Sequence, residues 1–153
     1  MHLCSEVLRV LDGRTLATAE SCTGGGIGAA LTAVPGSSAV YKGGIISYTN
    51  WVKEHVLLVD GALLEAYGAV SAPVAEAMAA GARKVLHADV AVSVTGLAGP
   101  GGDAFGNPVG TVFIGYADAA GTECRQFCFT GDREQVRALA VQHALRLILE
   151  KNS

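Results

Sequence analysis

Ser21, Tyr48 and Lys53 offer a hydroxyl, a phenol and an amine, a set with which a serine nucleophile can be activated. Ser21 stands in Ala19-Glu20-Ser21-Cys22-Thr23-Gly24-Gly25, where an apolar run gives way to glycines and then to a helical pattern. Residues at such a strand-to-helix turn carry N–H groups without a partner inside the helix, so Ser21, Cys22 and Thr23 are placed to meet an anion or a developing oxyanion. Gly24 and Gly25 have no Cβ and let a ligand or backbone come close. Tyr48, Asn50 and Lys53 follow in the spacing Tyr-x-Asn-x-x-Lys. A lysine accepts a serine proton only where burial lowers its pKa from about 10.4 toward about 7–8, and the apolar neighbours Trp51 and Val52 favour that. Singly, each residue has a plainer reading: Ser21 a helix cap, Tyr48 a strand-end aromatic, Lys53 a solvated helix lysine. The trio does chemistry only if the fold returns Lys53 and Tyr48 to Ser21.

Other groups compete or assist. Cys22 is the rival nucleophile, because a thiol at a helix N-terminus is acidified, but without a histidine partner it ranks as a packing residue. The GGGIG run at 24–28 fits neither GxGxxG nor the phosphate-loop pattern. The glycine-rich stretch GLAGPGGDAFGNP, through Gly99, Gly101 and Gly102, together with Arg133, offers N–H donors and a cation for a phosphate. His2, His55, His87 and His143 lack metal-site spacing, and Cys4, Cys22, Cys124 and Cys128 read as reduced thiols, so neither metal nor cofactor is expected.

The elements that must position these residues follow from periodicity. Leu3, Val7, Leu8 and Leu11 predict a first helix ending at Asp12-Gly13, and Thr15 to Ala19 a strand. Ile27, Ala30, Leu31 and Val34 give a helical stripe closed by Pro35-Gly36. Val40 to Tyr48 reads as a strand with a bulge or close approach at Gly43-Gly44. Asn50 then caps a short helix through Lys53 to Leu57, and Ala62 to Tyr67 is another, closed by Gly68. A helix rich in Ala and Gly follows, capped by Ser71 with Pro73 in its first turn, and it must pack closely against something. Asp89 to Thr95 is apolar enough to be a central strand. Val109 to Ala117 and Thr122 to Phe129 form a hairpin. The last helix opens at Asp132 with Gln135 as capping-box partner and buries Val136, Leu139, Ala140, His143 and Leu147. This order implies a single-domain, three-layer α/β/α sandwich with a mixed sheet.

Composition bounds the partners. At 153 residues, with half of them hydrophobic and only 16% charged, the chain can bury about 68–70% of its unfolded surface. A net charge of -3 without a basic stripe gives no footing for nucleic acid. No apolar run reaches about 18 residues and the first residues lack a signal-peptide pattern, so no membrane is expected and a cytoplasmic location is. The apolar, charge-poor surface favours a homodimer.

Taken together, AESCTGG at 19–25, VPGSS at 34–38, Tyr48-x-Asn50-x-x-Lys53, GAVS at 68–71, TGLAGPGG at 95–102, PVGTV at 108–112 and GDR at 131–133 resemble the CinA carboxy-terminal domain family, the nicotinamide-nucleotide amidases. The resemblance spans nearly the whole chain. It implies hydrolysis of the carboxamide of nicotinamide mononucleotide to nicotinic acid mononucleotide and ammonia without a metal. It further implies Ser21 as nucleophile, Lys53 and Tyr48 as the activating pair, and Arg133 as a functional arginine. In longer family members a nucleotide-pyrophosphatase domain precedes this one, and the residues here imply only the amidase. The alternatives are a catalytically idle nucleotide-binding module of the same fold and an amidohydrolase for another small amide. Asn107, where the family often carries lysine, and Asp103-Ala104-Phe105 in the glycine loop bear on substrate preference.

Overall fold

In the computed structural model, which describes residues 2–153, β1 (Leu16–Glu20) lies between two parallel neighbours, β2 (Tyr41–Ile46) and β3 (Val90–Gly96). Beyond β3 the hairpin of β4 (Thr111–Asp118) and β5 (Gly121–Cys128) continues antiparallel, giving a five-stranded mixed sheet in the order β2-β1-β3-β4-β5. The chain leaves β1 toward β2 on one side and returns to β3 on the other, so the carboxyl ends of β1 and β3 flank a topological switch point, where open α/β sheets form their crevice.

Alternation along the strands sorts the two covering layers. Leu16 of β1 and Val90, Val92 and Val94 of β3 join the larger core beneath α1 (His2–Val10), α2 (Gly26–Thr32) and α6 (Arg133–Asn152). Ala17, Ala19 and Ala91 face the other way, toward α4 (Gly61–Tyr67) and α5 (Ala72–Val85), while α3 (Asn50–His55) runs from the end of β2 into that layer. The small residues on this second face are required by how closely α5 sits. A Cβ at Gly81 would stand 1.8 Å from the Leu57 carbonyl oxygen, and one at Gly115 2.3 Å from that of Ala75. The three-layer α/β/α sandwich with a mixed sheet expected from the sequence is the observed fold.

Local expectations hold with instructive differences. The register between β1 and β2 slips at Lys42, beside the Gly43-Gly44 pair. Asp132 caps α6 with a reciprocal capping box to Gln135. Thr49, not Asn50, is the N-cap of α3, its hydroxyl accepting from the Val52 N–H at 3.5 Å, and Asn50 is the first helical residue. Ser71 stands at the N-cap of α5, but its hydroxyl donates to the Gly68 carbonyl instead of accepting from the helix. On α6, Leu139 and His143 are only partly buried, with His143 resting against Phe127 and Phe129. Among the described residues no helix is long and apolar enough to cross a membrane.

Candidate active site

Ser21 follows the last residue of β1, and its N–H donates to the Val94 carbonyl at 3.0 Å, which ties the turn to β3. The turn runs through Gly24 and Gly25, both with positive φ (58° and 98°), before α2 starts at Gly26. The free helix N-terminus expected beside Ser21 is not there to meet an anion. The N–H groups of Ile27 and Gly28 donate to the Glu20 carboxylate at 2.8 and 3.0 Å, so α2 is capped from within.

Lys53 comes back to Ser21 from α3. Its Nζ lies 3.1 Å from Ser21 Oγ and donates to the Ser47 carbonyl at 2.6 Å. The side chain is 1% exposed, and burial pushes its pKa down from 10.5 to about 8, against a small opposing effect of Cys22. Trp51 contributes little to this burial, because it is 63% exposed and stacks on His55. Helical spacing instead turns Lys53 inward while Trp51 faces out. The downward shift corresponds to about 3 kcal/mol disfavouring the ammonium, which leaves a hydroxyl beside an amine that is partly neutral near pH 8. That pairing is what a serine nucleophile and its base require.

The dyad opens into a cavity of about 340 Å³. Of the residues singled out from sequence, Ser21, Cys22, Tyr48 and Asn50 line it, as do Lys53, Gly99, Gly101 and Arg133. Thr23, Gly24, Gly25 and Gly102 are not among its lining residues. Thr23 is turned away, donating its hydroxyl to Glu20 Oε1 at 2.8 Å, and Gly24 uses its N–H on the Ser21 carbonyl at 3.0 Å. Gly25 lies behind the turn near Ile46, and Gly102 backs onto the Asn107 carbonyl. Tyr48 is 61% exposed, and its hydroxyl accepts from Arg133 Nη2 at 3.2 Å rather than bonding Ser21 or Lys53. Arg133 Nη1 donates to the Gly99 carbonyl at 2.6 Å, so this guanidinium bridges the β2–α3 connection and the glycine loop across the mouth. The lining carries two cations, Lys53 and Arg133, and no carboxylate, which suits an anionic ligand.

The acidification that would make Cys22 a rival nucleophile is not found. Burial pushes the Cys22 pKa up to about 11 despite Arg137, Lys53 and Arg133 nearby, so a thiolate is scarce at neutral pH. Sequence reasoning passed over Glu20, the Ser47 carbonyl and Arg137. Glu20 was legible as an anomaly, a charged residue closing an apolar strand. Arg137, four residues after Arg133, shares its helix face. The carbonyl partner of Lys53 had no signature in side-chain types. Among the described residues no group of three or more His, Cys, Asp or Glu side chains is arranged to hold a metal ion.

A family model described as the CinA C-terminal domain matches residues 3–152. The chain is 50% identical over 147 residues to a CinA-like protein of Synechococcus sp. (strain CC9902), covering 94% of this chain and 35% of that one. A CinA-like protein of Parasynechococcus marenigrum (strain WH8102) is 52% identical over 148 residues, with 94% and 35% covered. The chain thus spans about a third of the length of these curated relatives. Among solved structures, the competence damage-inducible protein A of Klebsiella pneumoniae superposes with a TM-score of 0.95 at 39% identity, covering 98% of this chain and 94% of that one. The competence/damage inducible protein CihA of Agrobacterium tumefaciens does so with 0.95 at 37% identity, covering 99% and 94%.

Proposed function

The chain belongs to the CinA C-terminal domain family, and from that premise we propose that it hydrolyses the carboxamide of nicotinamide mononucleotide by a Ser21–Lys53 mechanism. The observation that carries this reading is the 3.1 Å approach of a buried, deprotonatable lysine to a serine at the floor of a cation-lined cavity.

The amine in its neutral form takes the Ser21 proton through its lone pair, while an N–H remains donated to the Ser47 carbonyl that holds it in place. Ser21 Oγ attacks the carboxamide carbon, and the carbonyl π pair moves onto oxygen. The N–H of Cys22, which lines the cavity, is the candidate to receive that oxyanion, since the amides of Ser21 and Gly24 already serve the Val94 and Ser21 carbonyls. Collapse expels ammonia, which carries the proton returned by the Lys53 ammonium. Water then attacks the acyl-serine with Lys53 again as base, releasing the nicotinate product. Arg133 and the glycine-loop amides at Gly99 and Gly101 are suited to the phosphate. Tyr48, bonded to Arg133, acts in this reading at the mouth, assisting through substrate placement and not by proton transfer.

Ammonia release from nicotinamide mononucleotide by the purified protein tests the reading. The expected pattern is activity in wild type, loss by about 10³-fold or more in Ser21→Ala and Lys53→Met, and near-wild-type rates in Cys22→Ser. Substantial activity in Ser21→Ala overturns the nucleophile. Inactivity of wild type toward this nucleotide, with turnover of another small amide, moves the substrate, and inactivity toward all leaves an idle binding module.

A further inference from the structure

The turn that carries Ser21 is gripped by two charged side chains that play no part in the chemistry above. Glu20 is 2% exposed, and on the alternating strand its carboxylate faces the α2 layer while Ser21 faces the cavity. Oε1 accepts from Thr23 Oγ1 at 2.8 Å and from the Ile27 N–H at 2.8 Å. Oε2 accepts from the Gly28 N–H at 3.0 Å and from Thr18 Oγ1 at 3.1 Å. One carboxylate therefore ties together residues before and after Ser21, with charge-assisted bonds that resist slippage.

From the other side, α6 sends Arg137 to the same turn. Its Nε donates to the Cys22 carbonyl at 2.9 Å and its Nη2 to the Thr23 carbonyl at 3.2 Å. A trans peptide points its carbonyl and the following N–H in opposite directions, so these two bonds fix where the Thr23 and Gly24 N–H groups aim. The guanidinium thus holds to α6 the two carbonyls that directly follow the nucleophile in the chain. Neither Glu20 nor Arg137 lines the cavity.

We infer that Glu20 and Arg137 are positioning residues, a two-sided clamp that acts through Ser21 by fixing the nucleophile and its adjoining amides against Lys53. This rests on the proposed role of Ser21. Glu20→Gln keeps the shape but puts an NH₂ donor where an oxygen accepts, facing N–H groups of α2. Arg137→Ala removes the outer grip, and Arg137→Lys keeps the charge with a head that cannot span two carbonyls in the same fork.

Two readouts separate the clamp from the amidase reading: turnover of nicotinamide mononucleotide, and the rate at which an alkyl fluorophosphonate phosphonylates Ser21, read by intact mass. In the second, the Ser21 oxygen forms a bond to phosphorus as the P–F bond breaks, and fluoride leaves with the serine proton passing to Lys53. The clamp predicts that kcat and the phosphonylation rate fall together, by about 10²-fold in E20Q and about tenfold in R137A with partial recovery in R137K. KM stays within about twofold, and the rise of rate with pH, which belongs to Lys53, does not move. Wild-type rates in both assays for E20Q and R137A, a loss confined to KM, or a displaced pH dependence each overturn it. Should E20Q melt below the assay temperature, R137A and R137K decide by the same criteria. Wild type that phosphonylates Ser21 but spares the nucleotide defeats the substrate reading and leaves the clamp testable by phosphonylation. Wild type inert to both defeats the nucleophile and the clamp with it.

Discussion

A lysine buried beside a serine makes a prediction about stability as well as about rate. Below pH 8 the Lys53 amine is charged in both the folded and the unfolded chain, and the folded state bears the cost of burying that charge. Between about 8 and 10.5 the unfolded chain still holds a proton that the folded chain has released, so stability rises with pH, and the gain is complete above 10.5. Urea unfolding of wild type and Lys53→Met should show their difference shifting in favour of wild type by about 2 kcal/mol from pH 8 to pH 9.5. An unchanged difference would mean that the amine is not held in a desolvated place. Cys22 carries the complementary expectation. With its pKa pushed up to about 11 by burial, iodoacetamide at pH 7.5 should modify it slowly in the folded protein and readily once urea exposes it. The Ser21–Lys53 pair was legible from its motifs, because each motif presents one of the two side chains that the fold brings together. The grip of Glu20 and Arg137 was not, since it depends on which way the α2 amides turn and on a guanidinium more than a hundred residues away in the chain.

At the level of elements, the sequence declared α5 as a close-packing helix and the structure supplies the contact. Gly81 leaves room for the Leu57 carbonyl at the end of the segment that follows α3, so the seating of α5 and the approach of the Lys53 helix are coupled through one missing Cβ. Gly81→Ala should destabilise by about 1–3 kcal/mol in urea denaturation, with part of the loss appearing as reduced kcat because α3 is displaced. A neutral effect on both would show that the contact relaxes freely. The periodic elements were readable because their burial repeats. The caps were harder, since Thr49 and Asn50 are both good capping residues one position apart, and only the direction of the backbone decides between them. The helix N-terminus behind Ser21 misled for a related reason. A turn rich in N–H groups looks like an anion site until a buried carboxylate from the preceding strand is found to occupy it.

Across the whole molecule, the site draws Ser21 from the turn after β1, Lys53 from α3, the glycine loop after β3 and Arg133 from α6, which places it over the switch point of the sheet. Arg133 joins the glycine loop at Gly99 to the β2–α3 connection at Tyr48, so Arg133→Ala should raise KM for the nucleotide by about tenfold while kcat falls less, and an effect on kcat alone would remove Arg133 from substrate binding. Exposed Ile46, Tyr48 and Trp51 lie along the β2–α3 side, and light scattering that returns twice the 15.6 kDa chain mass would bear out the homodimer expected from composition, whereas a monomer at assay concentrations would remove it. The most direct test of the whole account is the pH dependence of kcat/KM for ammonia release from nicotinamide mononucleotide. The account predicts a limb that rises with pH and levels off with an apparent pKa of about 8, the value at which Lys53 gives up its proton. A rate that is flat from pH 6 to pH 10, at about wild-type magnitude, would contradict it.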